Sequence, residues 1–155
     1  MTQSKGRMVG LGTICFLTAM GCGLFRPSAE EAQTELARLI NPALDVGLGG
    51  GERPEADVGG DSCHEPLVGP ADGIRPLLVY TFSFSDLEDD PEVFLERVEE
   101  HWRNEGLDVN IDETDNSRRV YSGKDGYSIR AAIFYDRMEA NIGGTGPCVD
   151  NPDPD

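Results

Sequence analysis

The apolar residues between Leu78 and Ile142 change their spacing twice, and this change limits the folds open to the chain more than any other feature. Large side chains at residues 78, 80, 82 and 84 alternate with residues 79, 81 and 83, which is the period of a β-strand with one aromatic face. Asp90 and Pro91 then supply an N-cap and a first-turn proline for an amphipathic helix over residues 91–105. Gly106 closes that helix.

The period of two returns at Leu107 and continues through most of the remaining chain. It predicts strands over residues 107–111, 118–122, 127–136 and 138–142, with Asp125-Gly126 favouring a hairpin turn. We therefore predict an α+β fold: a mostly antiparallel sheet of about five strands, in the order β-α-β-β-β-β, with one helix packed on its aromatic face. The first two of these strands should be parallel and joined by a right-handed crossover through the helix.

The N-terminus has the pattern of a secretory signal. Lys5 and Arg7 precede an apolar run over residues 9–17 that is too short to span a bilayer, and small residues follow it. Residues 19–22, Ala-Met-Gly-Cys, resemble the lipobox of bacterial lipoproteins. The resemblance implies a diacylglyceryl group on the sulfur of Cys22, cleavage before that residue, and acyl chains such as palmitate. The alternative is an ordinary signal cut after Gly21 or near Gly23.

The predicted organisation has five segments. They are a signal peptide (1–21), a lipidated N-terminus with a separate amphipathic helix (22–45), a linker rich in glycine, proline and acids (46–62), an extracellular α+β domain (63–148) and a disordered acidic tail (149–155). Ser28 and Glu31 form a capping box at the start of the helix, and Pro42 predicts a stop or kink near Ile40. This helix should either dock on the domain or lie idle beside the membrane. The linker would hold the domain away from the membrane.

The four cysteines each receive a role. Cys15 lies within the signal, Cys22 takes the lipid, and Cys63 and Cys148 remain to form a disulfide in an oxidising compartment. The alternative for the last two, a metal site with His64, lacks the usual ligand spacing. We predict no metal site and no cofactor site.

The formal net charge of -16 favours some partners over others, and removal of the signal takes away two cations and no acid. Such a charge repels nucleic acid and anionic lipid headgroups, so we predict no nucleic-acid partner and no direct bilayer binding by the folded part. It favours a basic protein partner or divalent cations, or it serves only solubility. The densest acidic clusters are Glu88 to Asp90 and Asp112 to Asp115. The sequence does not define the oligomeric state.

Nothing in the sequence assembles a catalytic site. No G-x-S-x-G motif occurs, and although His64 adjoins Cys63 and His101 adjoins Trp102, nothing in the sequence pairs either histidine with a nucleophile or with the other. The carboxylates are too many for any pair to stand out as catalytic. We predict no catalytic residue. A small-ligand carrier or envelope enzyme is the alternative, and it would need a pocket around Tyr80, Tyr127 and Arg130.

Several features together are similar to a group of small lipoproteins of high-GC Gram-positive, actinobacterial-type bacteria. They are the lipobox at Cys22, the acidic Gly/Pro segment, a strand-helix-strands body with Trp102 late in the helix, and the sequence that ends the domain, Gly144-Thr145-Gly146-Pro147-Cys148. The resemblance implies an extracytoplasmic protein attached by lipid to the outer face of the cell membrane. It brings no catalytic residue with it. The sequence thus favours a lipid-anchored, non-enzymatic binding or protective domain.

Overall fold

The fold is given by a computed structural model that describes residues 27–63 and 72–152. These residues form two helices and seven strands, so the predicted α+β class is confirmed with two strands more than expected. The helices are α1 (Ala29–Leu48) and α2 (Pro91–Asn104). The strands are β1 (Ala56–Cys63), β2 (Gly73–Ser83), β3 (Asn110–Thr114), β4 (Ser117–Lys124), β5 (Tyr127–Phe134), β6 (Glu139–Thr145) and β7 (Val149–Asp150).

The strands form one antiparallel sheet in the spatial order β1-β2-β6-β5-β4-β3, and β7 pairs with the first two residues of β2. Because every neighbouring pair is antiparallel, β2 and β3 run in the same direction, yet three strands lie between them. The strands before and after α2 are thus parallel, as predicted, but they are not neighbours in the sheet. Helix α2 carries the chain to the far side of the sheet, and the later strands fill the gap.

Both helices cover one face of the sheet, and the hydrophobic core lies between these two layers. The Phe82 and Phe94 rings meet edge to face, with centroids 5.1 Å apart. Gly47 lets α1 approach α2 closely, since a Cβ there would lie 2.6 Å from the Phe94 ring. The largest fully buried side chains come from both layers: Trp102, Phe94, Leu36, Ile40, Leu44, Leu95, Ile133, Ile142, Val98, Val120 and Val149.

Helix α1 docks on the domain, one of the two expected outcomes, and its buried side chains make it part of the core and not a separate segment. Its predicted start is correct, because Ser28 and Glu31 form the capping box. The expected stop or kink near Ile40 does not end the helix, which continues through Pro42 to Leu48. Two bonds hold the chain beside the proline: Trp102 Nε1 donates to the Leu39 carbonyl, and the Tyr80 hydroxyl donates to Asn41 Oδ1.

The linker predicted over residues 46–62 is wrong as well. Its first residues complete α1, and residues 56–63 form β1, which pairs with β2 along its whole length. Strand β1 is an edge strand with Gly59 and Gly60 at its centre, and most of its side chains are exposed. Its sequence lacks the apolar alternation that marks a strand. The strand forms all the same because its backbone pairs with that of β2. The folded body therefore begins at α1 and not at residue 63.

The Cys63–Cys148 disulfide is present, with the two Cα atoms 6.0 Å apart. It joins the end of β1 to the residue before β7, on either side of the start of β2. The predicted tail over residues 149–155 is partly wrong, because its first two residues form β7. Cys15, Cys22, His64 and the rest of the predicted signal lie outside the described residues. Neither described helix is long and apolar enough to cross a membrane.

Candidate functional site

The three residues of the hypothetical ligand pocket do not meet. Tyr80 and Tyr127 point to the helix side of the sheet, where Tyr80 bonds Asn41 and Tyr127 lines a small cavity of about 70 Å³. Arg130 occupies the alternate set of positions on β5 and lies on the opposite face. The structure therefore forms no carrier pocket around this trio.

A larger cavity, of about 270 Å³, opens where α1 and α2 pack near the proline. His101 lines it next to Trp102, whose indole Nε1 is 3.2 Å from the Leu39 carbonyl oxygen. The lining is mixed in charge, because Arg38 is paired with Glu35 at 2.6 Å and the Glu105 carboxylate stands beside Lys124 and His101. The lining residues are Arg38, Leu39, Pro42, His101, Trp102, Glu105, Leu107 and Lys124.

The two predicted acidic clusters lie at one end of the domain. Glu88 to Asp90 follow β2 and precede α2, while Asp112 to Asp115 end β3, and all of these residues are exposed. Strands β2 and β3 run in the same direction, so both clusters reach the same end of the sheet. We call this the acidic end. Helix α1 starts at the opposite end, where Glu35 and Arg38 share a cavity with Tyr127.

The arginines on the helix side of the molecule are closely paired with carboxylates. These pairs leave the cations with little free charge, so the remaining acids of α2 and the acidic end dominate this side. The nitrogen–oxygen distances are 2.6 Å for Arg38–Glu35, 2.7 Å for Arg53–Asp45, 2.7 Å for Arg97–Asp89, 2.9 Å for Arg103–Glu99 and 2.5 Å for Arg118–Glu92.

Glu92 is the centre of a polar contact between α2 and the sheet. One carboxylate oxygen accepts from Arg118 on β4, and the other accepts a hydrogen bond from the Tyr135 hydroxyl. The bond to Glu92 raises the pKa of Tyr135 to about 12, because it stabilises the neutral phenol. The same carboxylate raises the pKa of the Arg118 guanidinium. This contact positions α2 and has no nucleophile in it.

The face of the sheet that points away from the helices, which we call the open face, carries exposed arginines. Arg75 is on β2, Arg119 on β4, Arg130 on β5 and Arg137 in the turn after β5. Two of these arginines flank the Phe134 ring, with Arg137 Cζ 4.0 Å and Arg119 Cζ 5.7 Å from its centroid. The acids of this face equal or outnumber its arginines: Asp57 and Asp61 are on β1, with Asp61 opposite Arg75, Asp112 is on β3, Glu139 starts β6, and Asp150 is on β7.

Sequence reasoning missed this group of arginines, although a signal for it exists. The alternation along β4 and β5 places residues 119 and 121, and residues 128, 130, 132 and 134, opposite the buried set. Only the strand order, which the sequence does not reveal, shows that these positions are neighbours. In residues 27–63 and 72–152, no group of three His, Cys, Asp or Glu side chains is placed to hold a metal ion.

No protein-family model matches the sequence, and no curated protein is significantly similar to it. Two solved structures are similar to the fold. One is a DUF4853 family protein from Actinomyces odontolyticus, with 17% identity, a TM-score of 0.51, and coverage of 84% of this chain and 73% of that chain. The other is a candidate lipoprotein, LppA, from Mycobacterium tuberculosis, with 19% identity, a TM-score of 0.46, and coverage of 79% and 78%. At these identities the likeness concerns the fold alone.

Proposed function

We propose that the protein is a lipid-anchored, non-enzymatic binding domain on the outer face of the cell membrane. The observation that carries the proposal is the lipobox-like sequence at residues 19–22, placed after a basic start and a short apolar run. Two acyl chains on Cys22 would give stable attachment without a membrane-spanning helix. Helix α1 starts seven residues after Cys22, so the folded body would stand close to the bilayer.

The anchor is tested at the sulfur of Cys22. Cys22→Ser removes the atom that is acylated, so the protein should move from the membrane fraction to the detergent-free supernatant. The N-terminal peptide of the native protein should have the mass of an acylated Cys22. Cys15→Ser, within the discarded signal, is the matched control and should stay with the membrane. An unmodified Cys22 in the mature native chain would contradict the proposal.

The acidic end is the proposed surface for a basic protein partner. Glu88 and Asp115 are exposed there and belong to none of the close ion pairs, so they add to a negative field that can steer a cationic surface. Rim charges of this kind govern the association rate and its salt dependence. Binding should therefore weaken as salt is raised.

An oligolysine peptide is a suitable probe for this surface. Glu88→Gln combined with Asp115→Asn should weaken its binding to the full-length protein in neutral detergent, and the loss should shrink at high salt. Asp57→Asn combined with Asp61→Asn makes the same change in net charge on β1 and is the control. Equal losses in the two double variants would mean that net charge alone acts and that the acidic end is not a site.

The alternative function is that of a small-ligand carrier, and the cavity beside His101 is the observation in its favour. His101 and Lys124 supply donors in its lining, while Arg38 is paired with Glu35 and Glu105 adds a carboxylate, so the ligand would be a small polar molecule that carries an acceptor. Native mass spectrometry of the protein from its own envelope tests this function. A retained small molecule that is lost in His101→Ala, but kept in His64→Ala, would favour the carrier over the protein-binding domain.

A further inference from the structure

Strand β3 has a partner strand on one side and solvent on the other. It pairs with β4, and no other described strand lies beside it. In an antiparallel pair, every second residue directs its backbone N–H and C=O groups away from the partner. All five side chains of β3 are exposed as well. The outer edge of β3 therefore offers unpaired backbone groups to which an extended chain can bind.

Helix α2 stops short of this edge and leaves an open shelf beside it. The helix packs on β4 and β5, whereas Ile111 and Glu113, the helix-side residues of β3, are exposed. A groove of about 410 Å³ runs along α2 next to β4. The residues that line the groove are Glu96, Glu99, Glu100, Arg103, Asn104 and Arg118. We call this groove, together with Ile111 and Glu113, the acidic shelf.

The acidic shelf has more carboxylates than cations. Both of its arginines are engaged, since Arg103 is 2.9 Å from Glu99 and Arg118 is 2.5 Å from Glu92. Three further carboxylates of the shelf belong to no ion pair in the described part of the chain: Glu96, Glu100 and Glu113. The shelf therefore keeps a negative charge of its own, which favours lysine or arginine side chains.

Ile111 gives the edge an apolar contact point in addition to its charge. It is the outermost member of an apolar row that crosses the sheet through Val120, Ala131 and Ile142. These three residues are fully buried, while Ile111 is 45% exposed. Cross-strand pairs of β-branched side chains stabilise a sheet. A valine or isoleucine on an added strand would continue the row and bury Ile111.

We propose that the edge of β3 binds an extended segment of a basic protein as an added strand, with a lysine or arginine beside Glu113 and a β-branched residue beside Ile111. This inference deepens the proposed binding of a basic protein and rests on it. In this mode backbone hydrogen bonds supply affinity and alternate side chains supply specificity. The other edge strand, β1, is less suited, because Asp61 lies opposite Arg75 and two glycines occupy its centre.

A pair of synthetic peptides tests the added strand. The probe is a capped heptapeptide, Lys-Thr-Val-Thr-Lys-Thr-Lys, whose lysines and valine fall on one face when it is extended. The control peptide has the same side chains and a methyl group on each backbone nitrogen of its five central residues. Each peptide is titrated into the full-length protein in neutral detergent. Because the control cannot donate backbone hydrogen bonds, it should bind at least roughly tenfold more weakly.

Hydrogen exchange locates the bound probe. At saturation, the probe should slow amide exchange in β3 by roughly tenfold or more and leave β1 unchanged. Equal slowing in both edge strands would contradict a site at β3. Slow exchange in β3 that appears at high protein concentration without peptide would mean that a second copy occupies the edge, and it would also overturn the inference.

The binding results separate this inference from the proposed function. Equal binding of the two peptides would overturn strand addition and leave the acidic end as a surface for cations. The inference also fails if neither peptide binds while oligolysine does. Failure of oligolysine together with both peptides would instead refute the basic protein partner itself.

Matched double variants test the named side chains. Ile111→Thr with Glu113→Gln should weaken binding of the probe by roughly fivefold or more. Val58→Thr with Asp57→Asn makes the corresponding change on β1 and should alter binding by less than about twofold. Threonine keeps a β-branched side chain in either strand, so the fold is retained. Equal losses in the two double variants would contradict a site specific to β3.

Discussion

Pro42 lies inside α1 with helix on both sides of it. Proline has no N–H group, so the Arg38 carbonyl loses its usual donor, and the ring crowds the preceding turn. The surrounding structure compensates nearby: Trp102 Nε1 donates to the Leu39 carbonyl at 3.2 Å and Tyr80 holds Asn41 at 2.8 Å. Tertiary contacts therefore carry the helix through a residue that would end it in isolation.

Replacing this proline should stabilise the protein. Pro42→Ala supplies an N–H for the Arg38 carbonyl and removes the crowding, which should raise the free energy of unfolding by about 1–2 kcal/mol after allowing for the freer unfolded chain. Urea denaturation measures the change. Pro54→Ala, in the loop between α1 and β1, is the control and should give no gain. A loss of stability in Pro42→Ala would mean that the Trp102 contact depends on the proline.

Tyr135 should titrate late because it donates to the Glu92 carboxylate. Its pKa is raised from 10.0 to about 12, so the stability from this bond is fully present below pH 10 and is lost as the pH rises towards 12. The phenolate absorbance of the native protein and of Tyr135→Phe is titrated with base. The difference between the two curves should show one phenol ionising near pH 12. Glu92→Gln should move that transition back towards 10. An unchanged transition in Glu92→Gln would show that the carboxylate is not the cause.

At the scale of elements, the sequence predicted those segments whose own side chains carry a period. Helix α2 and strand β5 have apolar residues at regular intervals, and both occur within a residue or two of the predicted bounds. Strand β1 has a single large apolar residue, Val58, which is 59% exposed. Pairing with β2 creates that strand, and a sequence pattern cannot report a contact made by backbone atoms.

The candidate surfaces were predictable to different degrees. The acidic clusters are runs of adjacent carboxylates, visible in the sequence, and only their meeting at one end required the structure. The cations of the open face come from three strands and a turn that are far apart in sequence. Their proximity depends on strand order, which no local pattern encodes.

The docking of α1 is measurable with one substitution. Leu36 is fully buried between α1 and the rest of the core, so Leu36→Ala should lower the free energy of unfolding by about 2–5 kcal/mol. Val46, 44% exposed on the same helix, is the control, and Val46→Ala should cost less than about 0.5 kcal/mol. Chemical denaturation followed by Trp102 fluorescence reports both. Equal small effects would indicate a helix that lies idle beside the membrane.

At the scale of the whole molecule, a disulfide restrains β1, a strand whose side chains are mostly exposed and contribute little to the core. The Cys63–Cys148 disulfide closes a loop with a sequence separation of 85 residues and fixes the end of β1. In the unfolded chain such a loop loses many conformations. The bond therefore matters more for β1 than the side chains of that strand do.

Removing the bond should be costly. Cys63→Ser with Cys148→Ser should lower the free energy of unfolding by about 2–5 kcal/mol, and β1 should become the first part of the sheet to exchange its amide hydrogens. Denaturation and hydrogen exchange measure the two effects. Reduction of the native protein should reproduce both of them. An unchanged free energy of unfolding in the reduced protein would show that pairing with β2 holds β1 in place without the disulfide.

Strands β1 and β3 form the two borders of the sheet, and both are lined with acids, Asp57 and Asp61 on one and Asp112 and Glu113 on the other. Bare strand borders tend to recruit a strand from another molecule. If the proposed lipid anchor holds many copies in one leaflet, they meet often, and each encounter brings two negatively charged edges together. Even at high surface density, these molecules should therefore remain separate and should not associate through edge-to-edge strand pairing.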